Sequence, residues 1–173
     1  MSMTFIQHTE LTGSQASIVF NSIPQTFTDL YVVFSLRSNS GVTVAKGNFN
    51  AVGADERRLQ GSGSGTFTGF NQPGSTIGFA TGSANTANTF SNNVLYIPNY
   101  TATGRKSYSG DGVTENNATE AFQNIVAGLT TTTSAITTLE IYPDAVQASQ
   151  WVAGSSATLY GITRGSNGGV TVS

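Results

Sequence analysis

Apolar and polar residues alternate along much of this chain with a period of two, the signature of strands with one face turned inward. Ala16, Ile18 and Phe20 alternate with Ser17, Val19 and Asn21, and Pro24 closes the run. In Leu30–Arg37, Leu30, Val32, Phe34 and Leu36 make one face while Tyr31, Val33 and Ser35 make the other. Both faces are mostly apolar, which predicts a central strand. Leu95 and Ile97 alternate with Val94 and Tyr96 until Pro98. Phe5–Leu11, Ser107–Val113, Ile136–Ile141 and Ala157–Ile162 are further strands, with Val42–Asn50 and Ile77–Ala80 as weaker ones. Branched and aromatic side chains fill these runs and Gly and Asn punctuate them. Many short strands between turns predict an all-β fold, a single antiparallel β-sandwich of jelly-roll type over residues 1–173.

Thr119–Leu129 carries two signals. Phe122, Ile125, Val126 and Leu129 stand at i, i+3, i+4 and i+7, the stripe of an amphipathic helix, whereas a strand would put Phe122, Asn124 and Val126 on one face. The β context on either side favours the strand. Gln60–Gly65 (QGSGSG) reads as a flexible loop rather than a domain linker, because strand-like sequence resumes beyond it. No internal repeat is visible.

Composition changes the picture in two ways. The 25 Thr, 20 Ser, 14 Asn and 20 Gly make up 79 of 173 residues, which raises disorder as an alternative. Against it, Leu, Ile, Val and Phe reach 23% with little net charge, above the roughly 20% of disordered chains. Charged residues are only 9%, against about 25% in an ordinary soluble protein. A net charge of −2 leaves no basic footprint for nucleic acid or anionic lipid. No apolar run approaches the roughly 18 residues that span a bilayer, and Met1–Gln7 lacks the layout of a secretory signal.

With no cysteine and one histidine, disulfides, thiolate chemistry and imidazole-rich metal sites drop out. His8 has no G-x-S-x-G elbow to serve and reads as an edge-strand or surface residue. Asp55, Glu56, Glu115, Glu120 and Asp144 could supply the paired carboxylates of a glycosidase, but Asp55 and Glu56 run into Arg57 and Arg58 and read as a solvated, self-neutralising loop tip. Gly110–Asp111–Gly112 with Glu115 and Asn116 offers oxygen ligands for Ca²⁺ without the spacing of a calcium loop, so a tight turn is the simpler reading. Thr103–Ser107 (TGRKS) lacks the first glycine of a phosphate loop. Its Arg105 and Lys106 read as a loop rim, which with Arg57 and Arg58 could at most form a small basic patch. Trp151, with Tyr100 and Tyr108, is the candidate for stacking on sugar, weighed against a buried tryptophan closing the sandwich. The sequons at Asn99 and Asn117 read as chance in so Asn- and Thr-rich a chain. No catalytic, cofactor or metal residue is assigned, and no enzyme activity is expected.

Five strings carry a resemblance. Ser17–Asn39 (SIVFNSIPQTFTDLYVVFSLRSN), Leu95–Tyr100 (LYIPNY), Val113–Ala118 (VTENNA), Ala127–Leu129 (AGL) and Ala157–Ile162 (ATLYGI) occur in that order. The chain resembles small stand-alone virion proteins of tailed phages, especially those infecting cyanobacteria and marine bacteria. The first string and the TLYGI ending are the specific ones. Members often carry a tryptophan directly after AGL, where this chain has Thr130. The resemblance implies a jelly-roll β-sandwich outside the particle, clamping capsid subunits or forming part of a fibre, and transfers no binding residue. The expectation is a capsid decoration (cement) protein made in the host cytoplasm, a homotrimer on the outer shell, with the major capsid protein and itself as partners and no nucleic acid, membrane or cofactor. Residues 1–4 and 164–173 are the expected arms. The alternative is a tail-fibre or receptor-binding module that recognises a host surface glycan.

Overall fold

The computed structural model describes residues 1–61, 67–116, 120–144 and 149–164. Among them there are twelve strands and no helix. In chain order they are β1 (Ser2–Glu10), β2 (Ile18–Phe20), β3 (Asp29–Ser35), β4 (Thr43–Phe49), β5 (Ala54–Gly61) and β6 (Phe67–Pro73). Then come β7 (Thr76–Ala80), β8 (Asn92–Pro98), β9 (Ser107–Asn116), β10 (Glu120–Thr130), β11 (Leu139–Pro143) and β12 (Ser156–Thr163). An eight-stranded sheet runs β1-β12-β3-β8-β9-β10-β5-β6, and a four-stranded sheet runs β2-β11-β4-β7. Every pairing between these twelve strands is antiparallel.

The two sheets close over one core, as alternation requires. Leu30, Val32 and Phe34 of β3 turn inward with Leu95 and Ile97 of β8 and Ala157 and Leu159 of β12, all essentially inaccessible. They meet Ile18 and Phe20 of β2, Ala45 and Phe49 of β4, Ile77 of β7 and Leu139 and Ile141 of β11. The strand expected to be central is so: β3 lies between β12 and β8. Trp151 lies wholly inside, its Nε1–H donating to the Ile141 carbonyl at 3.0 Å and its backbone bridging Gln15 and Ser38.

One local expectation is met and others are corrected. The ambiguous segment is strand β10, hydrogen-bonded to β9 on one side and β5 on the other; Asn124 and Val126 point inward while Ile125 and Leu129 face out. The apparent helical stripe arises because apolar residues occupy both faces. Asp55–Arg58 is not a loop tip but part of β5, and Gly110–Glu115 is not a turn but the middle of β9. Of the expected arms, Ser2–Thr4 pairs with Gly161–Thr163 and Arg164 is anchored on Asp29. Residues 165–173 lie outside the described residues, as do 62–66 of the expected loop and the Asn117 sequon.

One feature of the sheet packing explains several polar residues at once. β7 is the outer strand of the small sheet, so one side of its backbone has no strand partner. That side is buried against the large sheet, where an unpaired peptide group is costly. Side chains of the large sheet satisfy it. Asn93 accepts from Phe79 N–H at 3.0 Å and donates to Phe79 O at 2.9 Å, reproducing both hydrogen bonds of a missing strand. Glu56 accepts from Thr76 N–H, and the Tyr108 hydroxyl donates to Thr76 O at 3.2 Å. Room for the Asn93 amide comes from two glycines. A Cβ on Gly78 would lie 2.5 Å from Asn93 Oδ1, and one on Gly112 would overlap that oxygen.

Candidate functional site

The residues with chemical potential are mostly engaged in holding the sandwich together. In β5, alternation sends Glu56 and Arg58 inward and Asp55 and Arg57 outward, so the adjacent carboxylates do not form a pair. Glu56 is buried, with Arg58 Nη1 at 3.8 Å from its Oε1. The Arg58 guanidinium lies over the Phe79 ring, 5.4 Å from its centroid, and donates to Thr76 Oγ1 at 3.1 Å. Burial pulls its pKa down, opposed by the charges of Glu56 and Asp144. Tyr108 is pushed well above the usual phenol range, first by burial and then by Glu56 and Asp55.

Glu115 accepts from Thr86 N–H at 2.8 Å and from Thr89 Oγ1 at 3.0 Å, while Arg37 donates to the carbonyls of Thr86, Thr89, Ser83 and Asn85. Together they pin the connection between β7 and β8. Glu120 opens β10 opposite Asn116, and Asp144 sits 3.8 Å from Lys46 Nζ. Among the described residues no three of His, Asp or Glu gather as a metal ion would need. Asp111, central to the calcium reading, projects outward from β9 between Gly110 and Gly112.

The basic patch does not assemble. Arg105 pairs with Asp55 at 2.6 Å and donates to Thr130 O at 2.6 Å, whereas Lys106 is buried with its ammonium on Ser134 O. Burial lowers the Lys106 pKa. His8 is exposed on the edge strand, its Nδ1 2.8 Å from Thr158 Oγ1, as expected. Trp151, Tyr100 and Tyr108 are all buried, so none offers a ring to a sugar. Asn99 turns the chain after β8 with φ +49°. Among the described residues no helix is long and apolar enough to cross a membrane.

The feature that remains is a surface: the outer face of the eight-stranded sheet. Pairing registers Leu59 of β5 with Ile125 of β10, then Asp111 of β9, Val94 of β8 and Val33 of β3. Leu59 and Ile125 are 55% and 51% exposed, and Val113, Leu129 and Val33 are also accessible. Beside them a shallow depression of about 360 Å³ is lined by Asn92, Asp111, Val113, Ala121 and Gln123. Sequence reasoning missed this face because it counted apolar residues as core. Their placement on both parities of β10 and on the outward parity of β5 is the signal that was available. No protein-family model, curated protein or solved structure matches the chain.

Proposed function

We propose that this chain is a phage virion structural protein, a capsid decoration (cement) protein that bridges major capsid subunits on the outer shell. The observation that carries the reading is the outer face of the large sheet, where Leu59 pairs with Ile125 and Val94 with Val33 on either side of Asp111. Exposed apolar surface on a sheet face marks sites of macromolecular contact. Such a contact works by apolar burial and neutral hydrogen bonds, with little salt dependence.

Two further points support it. The resemblance strings fall largely on β2, β3, β8, β9, β10 and β12. The strand order also supports the jelly-roll reading. β2-β11-β4-β7 faces β3, the β8-β9-β10 meander, β5 and β6, the order of two interleaved Greek keys with one position expanded to a meander; β12 and β1 are added outside β3. In this reading the protein acts mechanically, as a homotrimer at three-fold or quasi-three-fold positions, resisting the pressure of packaged DNA.

Copy number and position test it. An image of the virion with this protein labelled is expected to show hundreds of copies across the shell. A few copies confined to the tail would overturn the reading and favour a fibre module instead.

A further inference from the structure

Four aromatic residues stand directly across the strands from one another on the outer face of the large sheet. They are Phe5 of β1, Tyr160 of β12, Tyr31 of β3 and Tyr96 of β8. Register and alternation together set this row. Leu30 and Val32 flank Tyr31, Leu95 and Ile97 flank Tyr96, and Leu159 precedes Tyr160, all of them turned into the core. The aromatic residues therefore share the opposite parity, one per strand. The three tyrosines are half-buried, and Phe5 is 60% exposed and edge-on to Tyr160 at 6.4 Å. Met3, two residues before Phe5, is 55% exposed and extends the apolar surface.

The row carries no net charge. Asp29, the carboxylate next to it, is fully buried, and Arg164 donates to both of its oxygens at 3.0 and 2.7 Å. Tyr96 Oη–H donates to the same carboxylate at 2.9 Å, which holds that ring in place. Asn99 N–H adds a further hydrogen bond at 3.0 Å. Along β1, β3, β8 and β12 the other acid is Glu10, at the far end of β1 opposite Ser156.

One ring per strand repeats with the spacing of the sheet. Adjacent strands lie about 4.8 Å apart, so the row spans roughly 14 Å. A pyranose unit of an extended glycan has a closely similar length. Its C–H face packs on an aromatic ring while its hydroxyls stay in water. Single-stranded nucleic acid also stacks on aromatic rows, but it needs a cationic groove for its phosphates. Here the adjacent cation, Arg164, is paired with Asp29. A straight, uncharged row fits a straight, uncharged, repeating ligand. We propose that Phe5, Tyr160, Tyr31 and Tyr96 form a binding platform for a neutral glycan of extended, β-1,4-linked pyranose units lying across the strands. This site goes beyond the decoration-protein reading and does not rest on it. It runs to the β1 edge, whereas Leu59 and Ile125 lie toward the other end of the same face.

Titration calorimetry of the purified chain with cellohexaose and with mannohexaose tests the platform. At least one of them is expected to bind, with an affinity that added salt leaves unchanged. Tyr31→Ala is expected to weaken binding about tenfold, equivalent to ~1.4 kcal/mol and of the size that one ring contact supplies. Tyr31→Phe keeps the ring and is expected to bind nearly as wild type. Phe5→Ala, at an exposed edge position, is expected to weaken binding while leaving the denaturation midpoint in place. No binding of either sugar at millimolar concentration would overturn the proposal, as would wild-type affinity in both alanine variants. So would stronger binding of polygalacturonate, an anionic chain. If neither sugar binds and Tyr31→Ala lowers the sedimenting mass, the row belongs to a second copy instead. A protein that binds the sugar but is confined to the tail would sink the decoration reading and leave this site standing.

Discussion

Asn93 supplies two hydrogen bonds to the strandless side of β7, and replacing it tests that account directly. Asn93→Leu keeps the approximate volume but removes both hydrogen-bonding functions from a site 1% exposed. Phe79 N–H and Phe79 O, on the strandless side of β7, would lose their partners at 3.0 and 2.9 Å. Ser91 Oγ, 2.8 Å from Asn93 Nδ2, keeps its link to the Leu36 carbonyl. Each orphaned buried group costs about 1–3 kcal/mol, so the pair should cost about 2–6 kcal/mol. For a chain of this length that corresponds to a fall in Tm of roughly 5–20 °C. Urea denaturation followed by tryptophan fluorescence reads it as a lower midpoint with an unchanged slope. Asn93→Asp adds a signature that packing alone cannot produce. Its carboxylate would face Phe79 O in the interior, which raises its folded-state pKa above the unfolded value near 3.9. A raised carboxyl pKa means the neutral form is favoured on folding, so this variant is closest to wild type below about pH 4 and loses stability as pH rises. A loss below about 0.5 kcal/mol in Asn93→Leu, or a pH-independent difference between Asn93→Asp and wild type, would refute the role assigned to this amide.

Two further outcomes follow from the same packing. Trp151→Phe should cost about 2–4 kcal/mol, since it strands the Ile141 carbonyl and leaves a gap in the core; calorimetry of the two proteins measures it. Tyr108 has a raised pKa from burial, so its contribution is present below the unfolded value near 10 and is lost as pH climbs through the folded one. Tyr108→Phe should therefore be less stable than wild type at pH 7 yet decline less steeply above about pH 10, and denaturation midpoints that fall in parallel would count against it.

Much of the scaffold is legible in the sequence. Alternation identified β3, β8 and β12 as strands, and β3 as a central one, because burial on one face selects apolar residues every second position. The lone histidine and the absence of cysteine limited the chemistry, and composition is indifferent to folding. The charged run Asp55–Arg58 misled because charge near a Gly-rich stretch resembles a loop. Two of its side chains instead point inward and satisfy or stack on β7. Lys106 misled in the same way, being buried against Ser134 rather than lining a rim.

What the sequence determined by itself was the kind of element and the kind of domain: short strands, one core, little charge. Only the tertiary structure decided which strands border which, because pairing joins residues far apart in the chain, as β1 does with β12. That choice leaves β7 without a neighbour on one side, recruits Asn93, Glu56 and Tyr108 to serve it, and turns Leu59 and Ile125 outward. A period of two states that a strand has two faces. Which face meets the core depends on register, and a shift of one residue exchanges them.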